Sequence, residues 1–144
     1  STINRLDFYK FSINYIIDNP LRPMGLGNWK ILSLNNINAI PIIGYTVPYH
    51  VHNDFLEIGN EVGLLGLLSF LLCFIALFYI CISLLKSTNS EAKVLSLTLF
   101  LALMVYFIDS NLNFPMSRPI VFTYFAFISS IIIYIKFIFH DSKK

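Results

Sequence analysis

The stretch that decides the fold is GLLGLLSFLLCFIALFYICISLL, Gly63–Leu85, which contains no charged residue. A helix of this length reaches about 34 Å, enough to cross a hydrocarbon core of about 30 Å. Two more apolar stretches follow, at 94–108 and 120–139, and the second has Lys136 near its end, where the side chain can reach the polar boundary. The stretch 94–108 is short, so a buried helix that does not cross is the alternative there. We predict an all-α, polytopic membrane protein with three transmembrane helices, at 63–85, 94–108 and 120–139.

The distribution of lysine predicts the orientation of these helices. The loop 86–93 and the tail 140–144 both carry lysines, and basic loops are retained in the cytoplasm. With three crossings both segments lie on the same side of the membrane, as this rule requires. Residues 1–62 and the loop 109–119 are then expected to face outward, away from the cytoplasm.

The composition agrees with a membrane environment. Of 144 residues, 56% are hydrophobic and 12% are charged, whereas soluble domains average about 25% charged residues. A net charge of +2 gives no reason to expect a nucleic-acid partner. Cys73 and Cys81 lie too far apart on one helix for a disulfide and are predicted to be buried apolar side chains. Because the chain opens with Ser1 and no signal peptide follows, we interpret Ser1 as an internal start and expect further sequence upstream.

Residues 1–62 are predicted to form a partly helical segment before the spans. Apolar residues recur at helical spacing near the start, at Leu6, Tyr9, Ile13, Ile16 and Ile17, which predicts an amphipathic helix at the membrane interface or on the membrane domain. Pro20 and Pro23 require this helix to end near Asp18. We predict a loop at 19–30, with Trp29 as an anchor at the membrane interface. Residues 31–51 are expected to be irregular or weakly helical.

The segment HVHNDFLEIGNEVGLLG, residues 50–66, contains the most informative motif. Asp54 and Glu57 have the spacing of a capping box, which predicts a helix that starts here and continues directly into the first span. His52 and Asn53 then lie just before its N-terminus, where partial positive charge and free amides suit an anion such as phosphate.

His52-Asn53, nine residues and then Gly63-x-x-Gly66 resemble the signature of the O-antigen ligase and O-antigen polymerase membrane family, in its C-terminal part. Arg5, the GLGNWK turn at 25–30 and Asp109 are also similar to family features and occur in the same order. The resemblance covers essentially the whole chain. It implies that the chain is part of a larger helical membrane fold similar to the GT-C glycosyltransferases, with upstream transmembrane helices of the same protein as partners. It also implies a multi-pass protein of a bacterial inner membrane, in which residues 1–62 and the loop 109–119 are periplasmic.

The resemblance also implies a chemistry. Members of the family transfer a glycan from an undecaprenyl diphosphate carrier to an acceptor hydroxyl, without a metal or another cofactor. The catalytic histidine and arginine of the family correspond to His52 and Arg5. A histidine can accept the hydroxyl proton near neutral pH, and an arginine fork fits the leaving diphosphate. The family also uses an arginine from an earlier loop, so we expect these 144 residues to be inactive by themselves.

Five further residues are candidates for substrate binding: Asn53, Arg22, Lys30, Asp109 and Arg118. The basic residues among them could equally be solvated loop charges. Asp109 could orient His52, pair with an arginine or simply be solvated at a helix end. His50 and His52 form an H-x-H pair, but no third ligand has suitable spacing, so a metal site is not expected and His50 is interpreted as supporting the site. Glu57 and Glu61 lie one helical turn apart and hint at a partner or a wet cleft.

The motifs do not separate three activities of this family. An O-antigen ligase, with lipid A-core as its acceptor, is the first interpretation. The alternatives are an O-antigen polymerase, whose acceptor is a glycan, and a protein O-oligosaccharyltransferase. A non-catalytic transport or assembly subunit is the alternative of another class. An enzyme requires His52 and Arg5 to converge, whereas a purely structural outer segment does not.

Overall fold

The structure, a computed structural model, describes residues 2–35 and 49–141. Every regular element within these residues is a helix, which confirms the predicted all-α class. Three helices are long and apolar enough to cross a membrane: Gly63–Leu85, Ser90–Leu112 and Pro119–Phe139. The described part of the chain therefore has the three membrane-spanning candidates that its hydropathy predicts.

The helices follow one another with short connections. In chain order they are α1 (Thr2–Asp18), α2 (Trp29–Asn35), α3 (Asp54–Glu61), α4 (Gly63–Leu85), α5 (Ser90–Leu112) and α6 (Pro119–Asp141), and a single 3-10 turn, Pro115–Ser117, precedes α6. Helix α2 begins inside the predicted loop 19–30. Most of the segment predicted to be irregular or weakly helical, 31–51, lies outside the described residues.

The chain divides into two compact units. The first unit contains residues 1–71 and 110–114, and the second contains residues 72–109 and 115–144. Helix α4 begins in the first unit and ends in the second, and the last residues of α5 belong to the first. The sequence motif at 50–66 thus lies entirely within the first unit.

The first unit is built on a small aromatic core. Phe8, Trp29 and Val51 form it, and the rings of Phe8 and Phe11 meet the Trp29 indole edge to face at 6.3 and 6.0 Å. Trp29 is only 1% exposed, so the prediction that it anchors a loop at the membrane interface is wrong. Its large ring is instead the centre of this core, because it fills the space between α1 and the loop before α3.

Helix α1 ends at Asp18, as the prolines predict, and the face that it buries within the described chain differs from the apolar face that the spacing predicts for the membrane interface. Phe8 and Ser12 are buried, whereas Leu6 and Ile13 are 55% and 45% exposed. The buried face carries a polar contact, since the Asn60 amide of α3 donates a hydrogen bond of 2.7 Å to the Ser12 hydroxyl. Hydropathy misses this face because a serine at its centre scores as polar.

The helix after the His-Asn motif does not continue into the span, contrary to the prediction. Helix α3 ends at Glu61, and Gly63 has φ +85°, a left-handed conformation that favours glycine. The Leu64 amide donates to the Pro20 carbonyl at 3.0 Å. The chain therefore breaks between α3 and α4, and the first turn of α4 is tied to the loop that follows α1.

Helix α5 is longer than the apolar stretch at 94–108. Asn89 caps its N-terminus, with Oδ1 accepting from the Glu91 and Ala92 amides at 2.8 and 3.1 Å. The helix then continues past Asp109 to Leu112. The hydropathy pattern stops at the charged residues, but a helix accommodates them freely at ends that reach water.

The second unit has a core of stacked aromatic rings. Tyr106 and Phe125 stack at 4.6 Å, and Phe74 lies 5.3 Å from Phe125. The Ser96 hydroxyl donates to the Cys81 carbonyl at 2.7 Å, and both cysteines are free thiols. Cys81 is buried as predicted, but Cys73 is exposed, because it lies on a face of α4 that packs against nothing in the described chain.

Candidate functional site

The His-Asn motif forms the N-terminal cap of α3. Asn53 is the cap residue, and its side-chain Oδ1 accepts from the Leu56 amide at 3.0 Å. The predicted capping box, with Asp54 as the cap and Glu57 as its partner, is therefore wrong: the cap lies one residue earlier, and Leu56 at the third helical position cannot return a side-chain bond. The amide group of Asn53 also donates to the Asn111 carbonyl at 3.2 Å. Both polar ends of this side chain are thus used by the fold, and its role in binding substrate stays a prediction.

His52 has an unusual backbone conformation. Its φ of +62° is the only left-handed value at a non-glycine residue in the described chain. Such a conformation costs on the order of 1–3 kcal/mol, and it persists only where the surroundings impose it. Here the Tyr9 hydroxyl donates to the His52 carbonyl at 2.8 Å. Strain of this kind is concentrated at functional sites, so it favours a functional role for His52.

Arg5 is bonded to the end of α5, and Tyr9 links the His52 carbonyl to the same end. The Arg5 guanidinium donates to the Leu112 carbonyl at 3.2 Å. Tyr9, one turn further along α1, bonds the His52 carbonyl and also lies 3.4 Å from the Asn111 carbonyl. Arg5 and the Tyr9 hydroxyl that holds the His52 carbonyl thus both contact the last residues of α5. The catalytic roles of Arg5 and His52 stay predictions.

The phenol of Tyr9 is held in its neutral form. Burial raises the pKa of Tyr9 above its usual value, and the nearby positive charge of Arg5 lowers that pKa by a smaller amount. A phenol that keeps its proton remains a donor to the His52 carbonyl at every physiological pH. The sequence pattern predicts Tyr9 only as an apolar residue of α1, and its spacing one turn after Arg5 is the signal that could have identified it.

His50, the other histidine of this segment, contacts a carboxylate. His50 Nδ1 lies 2.9 Å from Glu57 Oε1, and the Val51 amide donates to Glu57 Oε2 at 3.0 Å. The His50 ring stacks on Phe114 at 4.3 Å, while His52 meets the same ring edge to face at 5.2 Å. One phenylalanine thus contacts both imidazoles. This agrees with the interpretation that His50 supports the site.

Glu57 and Glu61 have separate roles, not a shared partner. The Glu57 carboxylate fixes the loop before α3, as described above. Glu61 accepts from the Trp29 amide at 3.1 Å, which satisfies a free N–H at the start of α2. No shared partner or wet cleft is needed to explain the pair. The sequence alone does not predict the partners of Glu57 and Glu61 or the role of Phe114. The groups that these side chains contact are not adjacent to them in the chain.

The other predicted substrate-binding residues are divided between the two units. Arg22 and Lys30 are exposed in the first unit, in the loop after α1 and in the first turn of α2. Asp109 and Arg118 belong to the second unit. The roles of these four residues stay predictions.

No group of three metal-ligating side chains occurs among the described residues. His50, the candidate that an H-x-H pair suggests, has Glu57 at its Nδ1 atom. The chemistry that this arrangement offers is proton transfer by imidazole and stabilisation of an anion by a guanidinium.

Comparison with known proteins agrees with the motif. Residues 1–71 match the family model described as O-antigen ligase. Two proteins named "putative polysaccharide ligase", from Rickettsia felis and Rickettsia conorii, are each 33% identical to this chain over 95 residues. These matches cover 64% of the chain and 23% of each relative, so the chain spans less than a quarter of the length of the relatives it matches. No solved structure gives a significant match.

Proposed function

We propose, from the match of residues 1–71 to the O-antigen ligase family, that this protein joins a glycan to an acceptor hydroxyl at the periplasmic face of a bacterial inner membrane. The donor is a glycan on undecaprenyl diphosphate, which is held in the bilayer by its polyprenyl chain. The observation that carries the proposal is the left-handed backbone of His52, within the motif, because strain of this kind is concentrated at functional sites. It is supported by the bonds that Arg5 and Tyr9 make to Leu112 and Asn111, since Tyr9 also holds the His52 carbonyl.

The two residues have complementary tasks in the transfer. The acceptor oxygen attacks the anomeric carbon of the glycan, and the bond between that carbon and the diphosphate oxygen breaks. His52 takes the hydroxyl proton, as a neutral imidazole can near pH 7. The diphosphate leaves on its lipid with the electron pair of the broken bond, and Arg5 stabilises the negative charge. One guanidinium N–H of Arg5 is bonded to Leu112, which leaves the other donors for phosphate oxygens.

Neighbouring groups hold these side chains in place. Tyr9 bonds the His52 carbonyl, and Phe114 packs against the His52 ring. The proposed contacts for the substrates are Asn53, Arg22, Lys30, Asp109 and Arg118. Asn53 also has a structural role, because its side chain caps α3 and donates to the Asn111 carbonyl. Upstream helices of the same protein would complete a larger fold of the GT-C kind, and no metal takes part in the step.

A ligase is the favoured activity within the family, and the name "polysaccharide ligase" of the two relatives supports this choice. The acceptor would then be lipid A-core. In a polymerase the acceptor would be another glycan chain, and in a protein O-oligosaccharyltransferase it would be a serine or threonine of an exported protein.

The test is transfer in cells whose natural gene carries His52→Ala or His52→Gly, compared at equal membrane abundance. Both variants remove the imidazole, but glycine also relieves the left-handed backbone strain. We expect both to reduce attached glycan about 100-fold or more, while glycan on undecaprenyl diphosphate accumulates. Asn14→Ala, an exposed change on α1, is the control with normal transfer.

The products distinguish the possible activities. Accumulation of long lipid-linked chains indicates a ligase, whereas loss of all chains beyond one repeat unit indicates a polymerase. If His52→Gly transfers glycan at the normal rate, the imidazole is not needed and the proposed chemistry is wrong.

A further inference from the structure

The loop between α1 and α2 is hydrogen-bonded to the end of α3 and to the start of α4, the first candidate span. Three backbone hydrogen bonds hold it there. The Leu64 amide donates to the Pro20 carbonyl at 3.0 Å, the Met24 amide to the Asn60 carbonyl at 3.0 Å, and the Gly25 amide to the Glu61 carbonyl at 3.1 Å. The close fit at Gly63 agrees, since an added Cβ would lie 3.2 Å from the Pro20 carbonyl oxygen. The loop therefore lies at the level where α4 begins.

This loop exposes its largest apolar side chains. Leu21 is 73% exposed, and Leu26, at 78%, is the most exposed large hydrophobic residue of the described chain. Met24, between them, packs partly against the core of the first unit. The loop thus has one side directed into the protein and another that presents two leucines. Fully burying a leucine is worth about 1.5–3 kcal/mol, so two exposed leucines in a pinned loop favour an apolar environment.

The apolar surface continues onto the span itself. Leu65, in the first turn of α4, is 68% exposed, and Leu64 in the same turn is bonded to the residue before Leu21. A helix with the composition of α4 presents such residues to lipid. Because Leu21 lies beside this turn, the surface that lipid covers on α4 extends without interruption onto the loop.

The charge of this region suits the polar layer of a membrane. Arg22 and Lys30 are the only charged residues in the segment 19–35, and both are exposed. Basic residues next to inserted apolar side chains attract anionic headgroups, at about 1 kcal/mol per residue. Trp29, which the sequence suggested as the anchor, is buried and does not serve this purpose.

We propose that the loop Leu21–Leu26 inserts into the membrane surface, with its two leucines at the boundary between headgroups and acyl chains and Arg22 at the phosphate of an anionic phospholipid. The inserted loop fixes the depth of the first unit at the bilayer. The inference concerns binding to lipid and does not depend on the proposed glycan transfer; it assigns Arg22 to a phospholipid in place of the substrate contact proposed above.

The test is quenching of a fluorescent label by nitroxide lipids in liposomes that contain the protein as the cell makes it. Cys73, the exposed one of the two thiols of this chain, is replaced by alanine, as is any other accessible cysteine of the full protein, while Cys81 is buried. An NBD label is then placed at Leu26→Cys, with Leu65→Cys as the control in lipid and Asn14→Cys as the control outside it. We expect a shallow nitroxide lipid to quench the labels at 26 and 65 to a similar extent, roughly half of their intensity, and to leave the label at 14 unaffected.

Two outcomes would overturn the proposal. Emission from position 26 that is red-shifted and unquenched would place the loop in water. Blue-shifted emission that the lipid does not quench would show that protein, not lipid, covers it. The role of Arg22 is tested by comparing phosphatidylcholine with phosphatidylglycerol vesicles. Quenching at position 26 is expected to increase with the anionic lipid, and Arg22→Gln should abolish that increase; an unchanged increase would exclude the phosphate contact.

Discussion

At the scale of single residues, the molecule maintains one costly conformation where its chemistry is expected. The left-handed backbone of His52 is held by the Tyr9 hydrogen bond on its carbonyl and by Phe114 against its ring. Neither of these groups neighbours His52 in the sequence. The orientation of the imidazole therefore depends on α1 and on the residues that follow α5 as much as on the motif itself.

The bond from Tyr9 can be tested with Tyr9→Phe, which removes one hydroxyl and little else. We expect the variant to be less stable by about 1 kcal/mol at neutral pH, because a partly buried bond to a carbonyl is lost. The pKa of Tyr9 is raised in the folded state, so its stabilising effect is fully present below the unfolded pKa and is lost as the pH rises through the folded value. Thermal unfolding of purified protein in detergent between about pH 7 and pH 11 is the measurement.

The stabilities of wild type and Tyr9→Phe should therefore differ most at neutral pH and become equal at the alkaline end of the range. Tyr15→Phe, on the same helix and without a side-chain hydrogen bond in the described chain, is the matched control. A constant difference across the whole range would show that the phenol does not titrate as the structure implies.

At the scale of elements, the break between α3 and α4 is the feature that shapes the site. It turns the chain at Gly63, so that the short helix carrying the His-Asn motif is separate from the span that follows. The break also leaves the Leu64 amide free to bind the Pro20 carbonyl. Helix α1, which carries Arg5 and Tyr9, is thereby linked through its following loop to the start of α4.

Gly63→Ala tests this junction. The new side chain would have to adopt φ +85° and its Cβ would lie 3.2 Å from the Pro20 carbonyl oxygen, so we expect a loss of about 2 kcal/mol or more. Gly27→Ala is the matched control, because Gly27 has φ +73° but open space around its Cβ position. It should cost about 1 kcal/mol, from backbone strain alone. If the unfolding temperatures of the two variants fall by the same amount, the close contact with Pro20 does not contribute to the loss of stability.

At the scale of the whole molecule, the orientation predicted from lysine distribution can be measured directly. Thr88 lies between α4 and α5, and Ser117 lies before α6; both are exposed. In a Cys73→Ala background, Ser117→Cys should react with a membrane-impermeant maleimide in spheroplasts, because 109–119 is predicted to be periplasmic. Thr88→Cys should react only after the inner membrane is opened, since basic loops remain in the cytoplasm.

The reverse pattern would place the His-Asn motif on the cytoplasmic side and contradict the proposed periplasmic reaction. Labelling of both positions from the same side would show that α5 does not cross, as the short apolar stretch at 94–108 left open.

The helical class, the three candidate spans and the motif that resembles the O-antigen ligase family could all be predicted from the amino-acid sequence. Those properties are local: the hydropathy of Gly63–Leu85 and the spacing of His52, Gly63 and Gly66 can be read without knowing any contact. The ends of the helices are predicted less well from the sequence, because α5 extends beyond its apolar residues at both ends.

Only the tertiary structure decided which side chains meet. Arg5 binds a carbonyl 107 residues away, Tyr9 binds one 43 residues away, and Trp29 is buried by Phe8 and Phe11, although its side chain also suits a membrane boundary. The partners of Glu57 and the buried face of α1 were likewise hidden from the pattern of polar and apolar residues. Periodicity reports how polar each position is, whereas burial and hydrogen bonding depend on which distant residues the fold places opposite.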